Sequence, residues 1–206
     1  MSARTGGINI LVLVSGNGSN LQALLDAESA GLLGKGSIVG VISDRPGVYA
    51  LERARKAGKP ALVEEPRRDL PKEERRLELS NRILGRAREW QVHYIVLAGF
   101  LSILRGPILQ EYRGRIINLH PSLLPKYGGP GMYGQRVHEA VLAAGETESG
   151  CTVHFVDEGT DTGPIILQRR VPVLAGDTPE RLAERIHQEE HIALVEAVQR
   201  LVKEHP

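Results

Sequence analysis

Short β-branched apolar runs alternate with helix-length segments from Ile8 to His120, and that alternation leaves few folds open. "INILVLV" (Ile8–Val14) is apolar at almost every position, so it reads as a strand covered on both faces, the signature of a parallel sheet. "SIVGVIS" (Ser37–Ser43), "PALVE", "HYIVLAG" (His93–Gly99) and "RIINLH" repeat the pattern. Between them lie "LQALLDAESAG", "VYALERARKAG" (Val48–Gly58, with Gly58 as its stop), the charge-laced stretch from Pro71 to Trp90, and a short segment at Arg105–Tyr112. Right-handed crossovers then give an α/β fold: three αβα layers around a Rossmann-like, mostly parallel sheet of about seven strands. The pattern changes after Ser122. A Gly/Pro-rich loop (Ser122–Gly134) and a helix (Gln135–Ala144) precede "CTVHFV" and "IILQRRVPV", joined by "DEGTDTG". That connection is too short for a crossover helix, which predicts an antiparallel C-terminal portion. A last helix begins at "DTPE", where Asp177 or Thr178 can cap and Pro179 occupies the first turn.

The 206 residues fit a single domain, and a net charge of +1 offers no general attraction for nucleic acid or a membrane surface. An anionic ligand must be held locally. One cysteine, Cys151, excludes an internal disulfide and suits a cytoplasmic location; it opens an apolar strand and reads as a buried hydrophobe. "MSARTGG" lacks the apolar core of a leader, and no run reaches membrane-spanning length. The charges of "RRDLPKEERR" read as a solvated helix face.

Three places carry chemistry. "SGNGSN" joins a buried strand to a helix, and Gly16, Gly18, Ser19 and Asn20 can offer backbone N–H groups to an anion. Leu21 stands where a dinucleotide fingerprint needs its third glycine, so the loop suits a single phosphate or is simply a tight turn. In "NLHPS", Asn118 and His120 share one strand face, and Pro121 ends the ladder at the carboxyl end where open α/β sheets bind ligands. A carboxamide and an imidazole there can hold a developing oxyanion and move a proton; the alternative is a capping Asn and a His bonded to the loop. In "DEGTDTGP", Asp161 is followed by Thr162-Gly163-Pro164, which pins the chain, and a carboxylate near His120 favours the imidazolium; Asp157 is equally open on sequence. The last helix places Glu190 inside an apolar stripe with Leu182, Ile186, Ala193, Ala197 and Leu201. A carboxylate so placed needs a partner, either a pair of sugar hydroxyls or an arginine. His187 and His191 have metal-like spacing but Gln188 stands where a zinc-protease glutamate belongs, so no metal is expected. His138 and His154 read as locally satisfied.

The segments "ILVLVSGNGSNLQALLDA", "IVLAGFLSIL", "IINLHPSLLPKYGG", "TVHFVDEGTDTGPIILQ" and "EEH" resemble the glycinamide ribonucleotide formyltransferases of purine biosynthesis, over nearly the whole chain. The resemblance implies transfer of the formyl group of 10-formyltetrahydrofolate to the amine of glycinamide ribonucleotide. It implies small-molecule partners, a monomer or homodimer, and a ribonucleotide-binding half (1–115) ahead of a catalytic, folate-binding half (116–206). Carried over, Asn118, His120 and Asp161 are the catalytic trio, with Asp161 keeping His120 protonated. Gly18, Ser19 and Asn20 hold the phosphate and Glu190 the ribose. Lys72, Leu101, Ser102, Ile103, Leu104, Asn118, Val156 and Asp161 meet the folate, and the Leu124–Pro125 bond is cis. Ser102 replaces a basic residue of some members, and His187 a polar or basic one. Rival readings are methionyl-tRNA or sugar-nucleotide formyltransferases and a formyltetrahydrofolate hydrolase, along with a nicotinamide oxidoreductase that the missing glycine disfavours, or a non-catalytic binding module.

Overall fold

The structure, a computed structural model, describes residues 6–205. Among these residues, one seven-stranded sheet runs through the molecule in the order β3-β2-β1-β4-β5-β6-β7. The strands are β1 (Ile8–Val14), β2 (Gly36–Ser43), β3 (Ala61–Val63), β4 (Tyr94–Leu97), β5 (Ile116–His120), β6 (Glu148–Phe155) and β7 (Ile165–Pro172). Helices are α1 (Ser19–Ser29), α2 (Tyr49–Lys56), α3 (Lys72–Glu89), α4 (Pro107–Glu111), α5 (Gln135–Ala143) and α6 (Pro179–Glu204). The first five strands are mutually parallel, and β6 and β7 are antiparallel to their neighbours. This is the expected α/β architecture. None of the described helices is long and apolar enough to cross a membrane.

Each central strand supplies both faces of the sheet. Ile10, Val12 and Val14 of β1 pack in a core with α1 and α6, while Leu11 and Leu13 pack with α3 and α4 residues on the other side. That two-sided burial is why β1 carries no alternation. Several element boundaries differ from the sequence reading, and two of them bear on the site. β6 begins at Glu148 rather than Cys151, since Ser149 and Gly150 pair with Val171 and Arg170. A Cβ on Gly150 would stand 1.9 Å from the Arg169 carbonyl oxygen, so only glycine passes there. α1 begins at Ser19, with Gly18 at its N-cap in the left-handed region (φ 79°), so Ser19 and Asn20 lie in the first turn. Thr178 caps α6 by accepting from the Arg181 N–H, whereas Asp177 accepts from the Leu174 N–H and pairs with Arg185.

The strand order reverses between β1 and β4. Chain leaving β1, β4 and β5 at their carboxyl ends therefore opens a crevice at the switch point. Ser15, just past β1, accepts the Leu101 N–H on its hydroxyl at 2.8 Å, tying the β1 and β4 exits together.

Candidate active site

A cleft of about 1020 Å³ opens at those strand ends. It is large against the usual several hundred Å³ for one small ligand, so two substrates can meet in it. Asn118, His120 and Asp161 all line it, as do Asn20, Lys72, Leu101, Ser102, Ile103, Leu104, Val156 and Glu190. Gly18 and Ser19 are not part of its lining. Gly18 owes its identity to packing as well as to its positive φ, because a Cβ would sit 2.6 Å from that of Ala50 on α2.

The trio is assembled from two elements. Asn118 and His120 project from β5 on one face, and Asp161 comes from the loop after β6, held at φ 57°. Asp161 Oδ2 accepts the Gly129 N–H at 3.0 Å and lies 3.5 Å from His120 Nδ1. Asp157, the other candidate, is consumed by its own turn, accepting from the Gly159 N–H and the Thr162 hydroxyl. The Leu124–Pro125 bond is cis.

His120 Nε2 donates to the Tyr127 carbonyl at 2.8 Å, since a carbonyl only accepts. Burial pushes the His120 pKa down, and this exceeds the upward pull of the Asp161 carboxylate. The Asp161 carboxylate thus pulls His120 in the expected direction, toward the imidazolium, while burial of the ring opposes it. At 3.5 Å the carboxylate is well beyond a charge-assisted hydrogen bond, while His120 is 4% exposed. Burial would also raise Asp161, but bonding toward His154, the charge of His120 and the Gly129 N–H bring it below the ordinary carboxylate value.

His154 is the member that the sequence reading left out. It pairs with Asn118 across the antiparallel β5–β6 ladder. Its Nδ1 donates to the Phe155 carbonyl at 2.8 Å, and its Nε2 lies 3.2 Å from Asn118 Nδ2 and 3.6 Å from Asp161 Oδ1; in the neutral ring Nε2 accepts from the amide. A neutral imidazole there orients the Asn118 amide with its nitrogen toward the ring. Only knowledge that "NLH" and "TVHF" are neighbours in antiparallel register could have revealed this. His138 also differs from expectation: it is buried, its Nδ1 has no partner, and it lines the cleft.

Glu190, 6% exposed, bonds neither to an arginine nor within the apolar stripe alone. Its Oε2 takes His187 Nδ1 at 2.7 Å and Asn20 Nδ2 at 3.3 Å. Asn20 Oδ1 is buried without a partner. His187 Nε2 lies 2.6 Å from the Ser19 hydroxyl. Both nitrogens of His187 are therefore engaged, whatever its spacing to His191.

Among the folate candidates, Ser102 donates to Asp44 at 2.7 Å and so turns partly away from a ligand. Leu101 is exposed and Leu104 buried, giving an apolar wall with backbone polar groups in no helix or strand. Lys72 stands at the mouth, joined there by Arg45, Arg75 and Arg76. Part of the charge run read as merely solvated thus faces the cleft. Cys151 is buried and its thiol is pushed up to about 12 by burial, so it is no nucleophile at neutral pH.

An amide N–H and an imidazole at a strand's end, backed by a carboxylate inside a two-substrate cleft, define a group-transfer site acting at a carbonyl carbon. Residues 8–198 match the model of the formyl transferase family. The chain belongs to that family. It is 41% identical over 184 residues to the phosphoribosylglycinamide formyltransferase of Escherichia coli (strain K12), covering 89% of this chain and 82% of that one. It is 52% identical over 190 residues to the trifunctional purine biosynthetic protein adenosine-3 of Drosophila pseudoobscura pseudoobscura, covering 92% of this chain but 13% of that protein. The crystal structure of glycinamide ribonucleotide transformylase 1 from Symbiobacterium toebii superposes with a TM-score of 0.87 at 41% identity, over 98% of this chain and 91% of that one.

Proposed function

We propose that this chain is a phosphoribosylglycinamide formyltransferase, passing the formyl group of 10-formyltetrahydrofolate to the amine of glycinamide ribonucleotide. The observation that carries the reading is one cleft holding the Asn118–His120–Asp161 cluster between an apolar wall and the Asn20–Glu190 pair. The wall at Leu101–Leu104 and Val156 suits a flat aromatic ring system, with Lys72 near its acidic tail. Glu190 and the unpartnered Asn20 Oδ1 suit ribose hydroxyls, and the α1 N-terminus at Ser19 and Asn20 suits the phosphate.

The bound folate supplies the formyl carbon and a nitrogen that leaves with a proton. Asn118 has one amide hydrogen bonded to His154 and a second directed to the cleft, where it stabilises oxygen as it gains charge. His120 exchanges the Tyr127 carbonyl for that oxygen, a stronger acceptor because it is anionic. Negative charge beside the ring also restores the protonation that burial opposes. Asp161, ionised and held by the Gly129 N–H, stands ready to take the amine's proton directly or through water.

The test is to mix the protein with 10-formyltetrahydrofolate and glycinamide ribonucleotide, follow folate absorbance, and omit each in turn. Transfer needing both is expected, and His120→Ala should lower turnover by roughly 10²–10³ with folding intact. Formate release without the ribonucleotide, or near-normal turnover in His120→Ala, overturns the assignment.

A further inference from the structure

The chain of contacts Asn20–Glu190–His187–Ser19 is more than a way to satisfy a buried carboxylate. We propose that His187 is a proton-dependent switch for the ribonucleotide's phosphate: charged, it turns the Ser19 hydroxyl outward as a donor; neutral, it takes that hydrogen for itself. The proposal rests on the ribonucleotide reading of this site and assigns it a pH-dependent, specificity-determining residue.

The argument is one of donors and acceptors. Glu190 Oε2, 2.7 Å from His187 Nδ1, can only accept, so Nδ1 carries a hydrogen in either state of the ring. Everything then turns on Nε2, 2.6 Å from Ser19 Oγ. In the imidazolium, Nε2 donates to Oγ, and the serine's single hydrogen is free for an anion at the α1 N-terminus. In the neutral ring, Nε2 is a lone pair that accepts the serine's hydrogen, leaving lone pairs toward the anion. Losing the proton also leaves the Glu190 charge uncompensated nearby. Two observations point to a ligand here. Asn20, buried to within 8% exposure, lines the cleft with His187 and keeps Oδ1 unpartnered, an acceptor that suits a hydroxyl of the phosphate-bearing ligand. α1 has no side-chain cap and no acidic residue in its first turn.

The charged groups around the ring favour the imidazolium. On α6, Glu190 raises the His187 pKa through its hydrogen bond, while burial lowers that of His191, whose ring centroid is 5.0 Å away. From α5, His138 faces the same cluster and is lowered by burial. α1 contributes only the neutral Ser19 and Asn20, and Glu180 and Glu184 of α6 line the neighbouring cleft. His191 and His138 thus lose their charge first as pH rises, and His187 last. The same order of hydroxyl, imidazole and carboxylate activates serine nucleophiles. An imidazolium, however, cannot take the serine's proton, so the charged form serves anion binding and not nucleophile activation.

Sulfate is the probe, because it stays a dianion throughout the range. Its affinity for the wild-type chain should fall about tenfold from about pH 6 to about pH 9, the scale of one charge-assisted hydrogen bond. His187→Gln, whose amide donates to Ser19 at any pH, should bind sulfate with no such slope. The His187 ring, followed by NMR, should titrate at higher pH when sulfate is present. A flat wild-type profile, a His187→Gln variant that keeps the slope, or a ring midpoint indifferent to sulfate overturns the proposal. Formyl transfer is measured separately: transfer with flat sulfate binding removes the switch and leaves the enzyme, whereas a sloped profile without transfer removes the enzyme and leaves the switch.

Discussion

Asn118 has two amide hydrogens and His154 takes one of them, at 3.2 Å. A free carboxamide can flip end for end and offer either an oxygen or an N–H to a reacting carbonyl. With Nδ1 of a neutral His154 committed to the Phe155 carbonyl, the Asn118 oxygen facing that imidazole would leave two acceptors opposed. His154 therefore acts through Asn118, as a positioning residue. Asn118→Ala should cost roughly 10²–10³ in turnover, the scale for an oxyanion donor. His154→Ala should cost about tenfold, mainly in kcat, and little further once Asn118 is already alanine. Turnover in the double variant would be the measurement, and full additivity of the two losses would break the link. The imidazole at 120 obeys a different balance. There burial competes with a carboxylate at 3.5 Å, and burial, the larger influence, disfavours the charged ring.

Single elements show where local pattern suffices and where it stops. β2 carries an irregularity: Ile10 is opposite Ile38 but Leu11 is opposite Gly40, so Val39 is skipped. The displaced register brings Gly40 beneath the Trp90 ring, and a Cβ there would fall 2.2 Å from Cζ3. Trp90 follows α3 as its C-cap, so this glycine sets how closely α3 can lie on the sheet. Gly40→Ala should destabilise by about 1–3 kcal/mol, through overpacking against the partly buried indole. A denaturant midpoint unchanged by the substitution would contradict that account. Nothing in "SIVGVIS" announces the bulge, since it depends on which strands become neighbours. The continuous apolar runs did announce β1 and β2, and Gly58 and Thr178 marked real helix ends, because those signals are local. Asn118 and His120 were legible for the same reason: a proline ends the strand beside them. His154, Arg75 and Arg76 were not, because their place in the cleft follows from strand register and helix rotation across the fold.

At the level of the whole molecule, the cleft gathers residues as far apart in the chain as Asn20, Asn118, Asp161 and Glu190, and one sheet carries them all. The boundary expected at 115–116 falls between β4 and β5, which pair directly from Ile95–Ile116 to Leu97–Asn118. One apolar cluster includes Ile10 and Leu21 from the first half together with Val153, Leu182 and Leu194 from the second. Two side-chain hydrogen bonds also cross it, from Asn20 to Glu190 and between Ser19 and His187. Splitting the chain there would expose the β4 edge and strip α6 from α1, so neither part keeps a closed core. Folding should accordingly be one cooperative event. The sequence offers a convenient probe, because Trp90 is the only tryptophan and sits in the first half. Its fluorescence in urea should lose its native signal at the same midpoint as far-UV circular dichroism, which also reads α6, with equal slopes. A tryptophan transition that clearly precedes or follows loss of helix would mean that the halves unfold separately. The site would then be an interface between two folding units, and the bonds from α1 to α6 would hold it closed only while substrate is present.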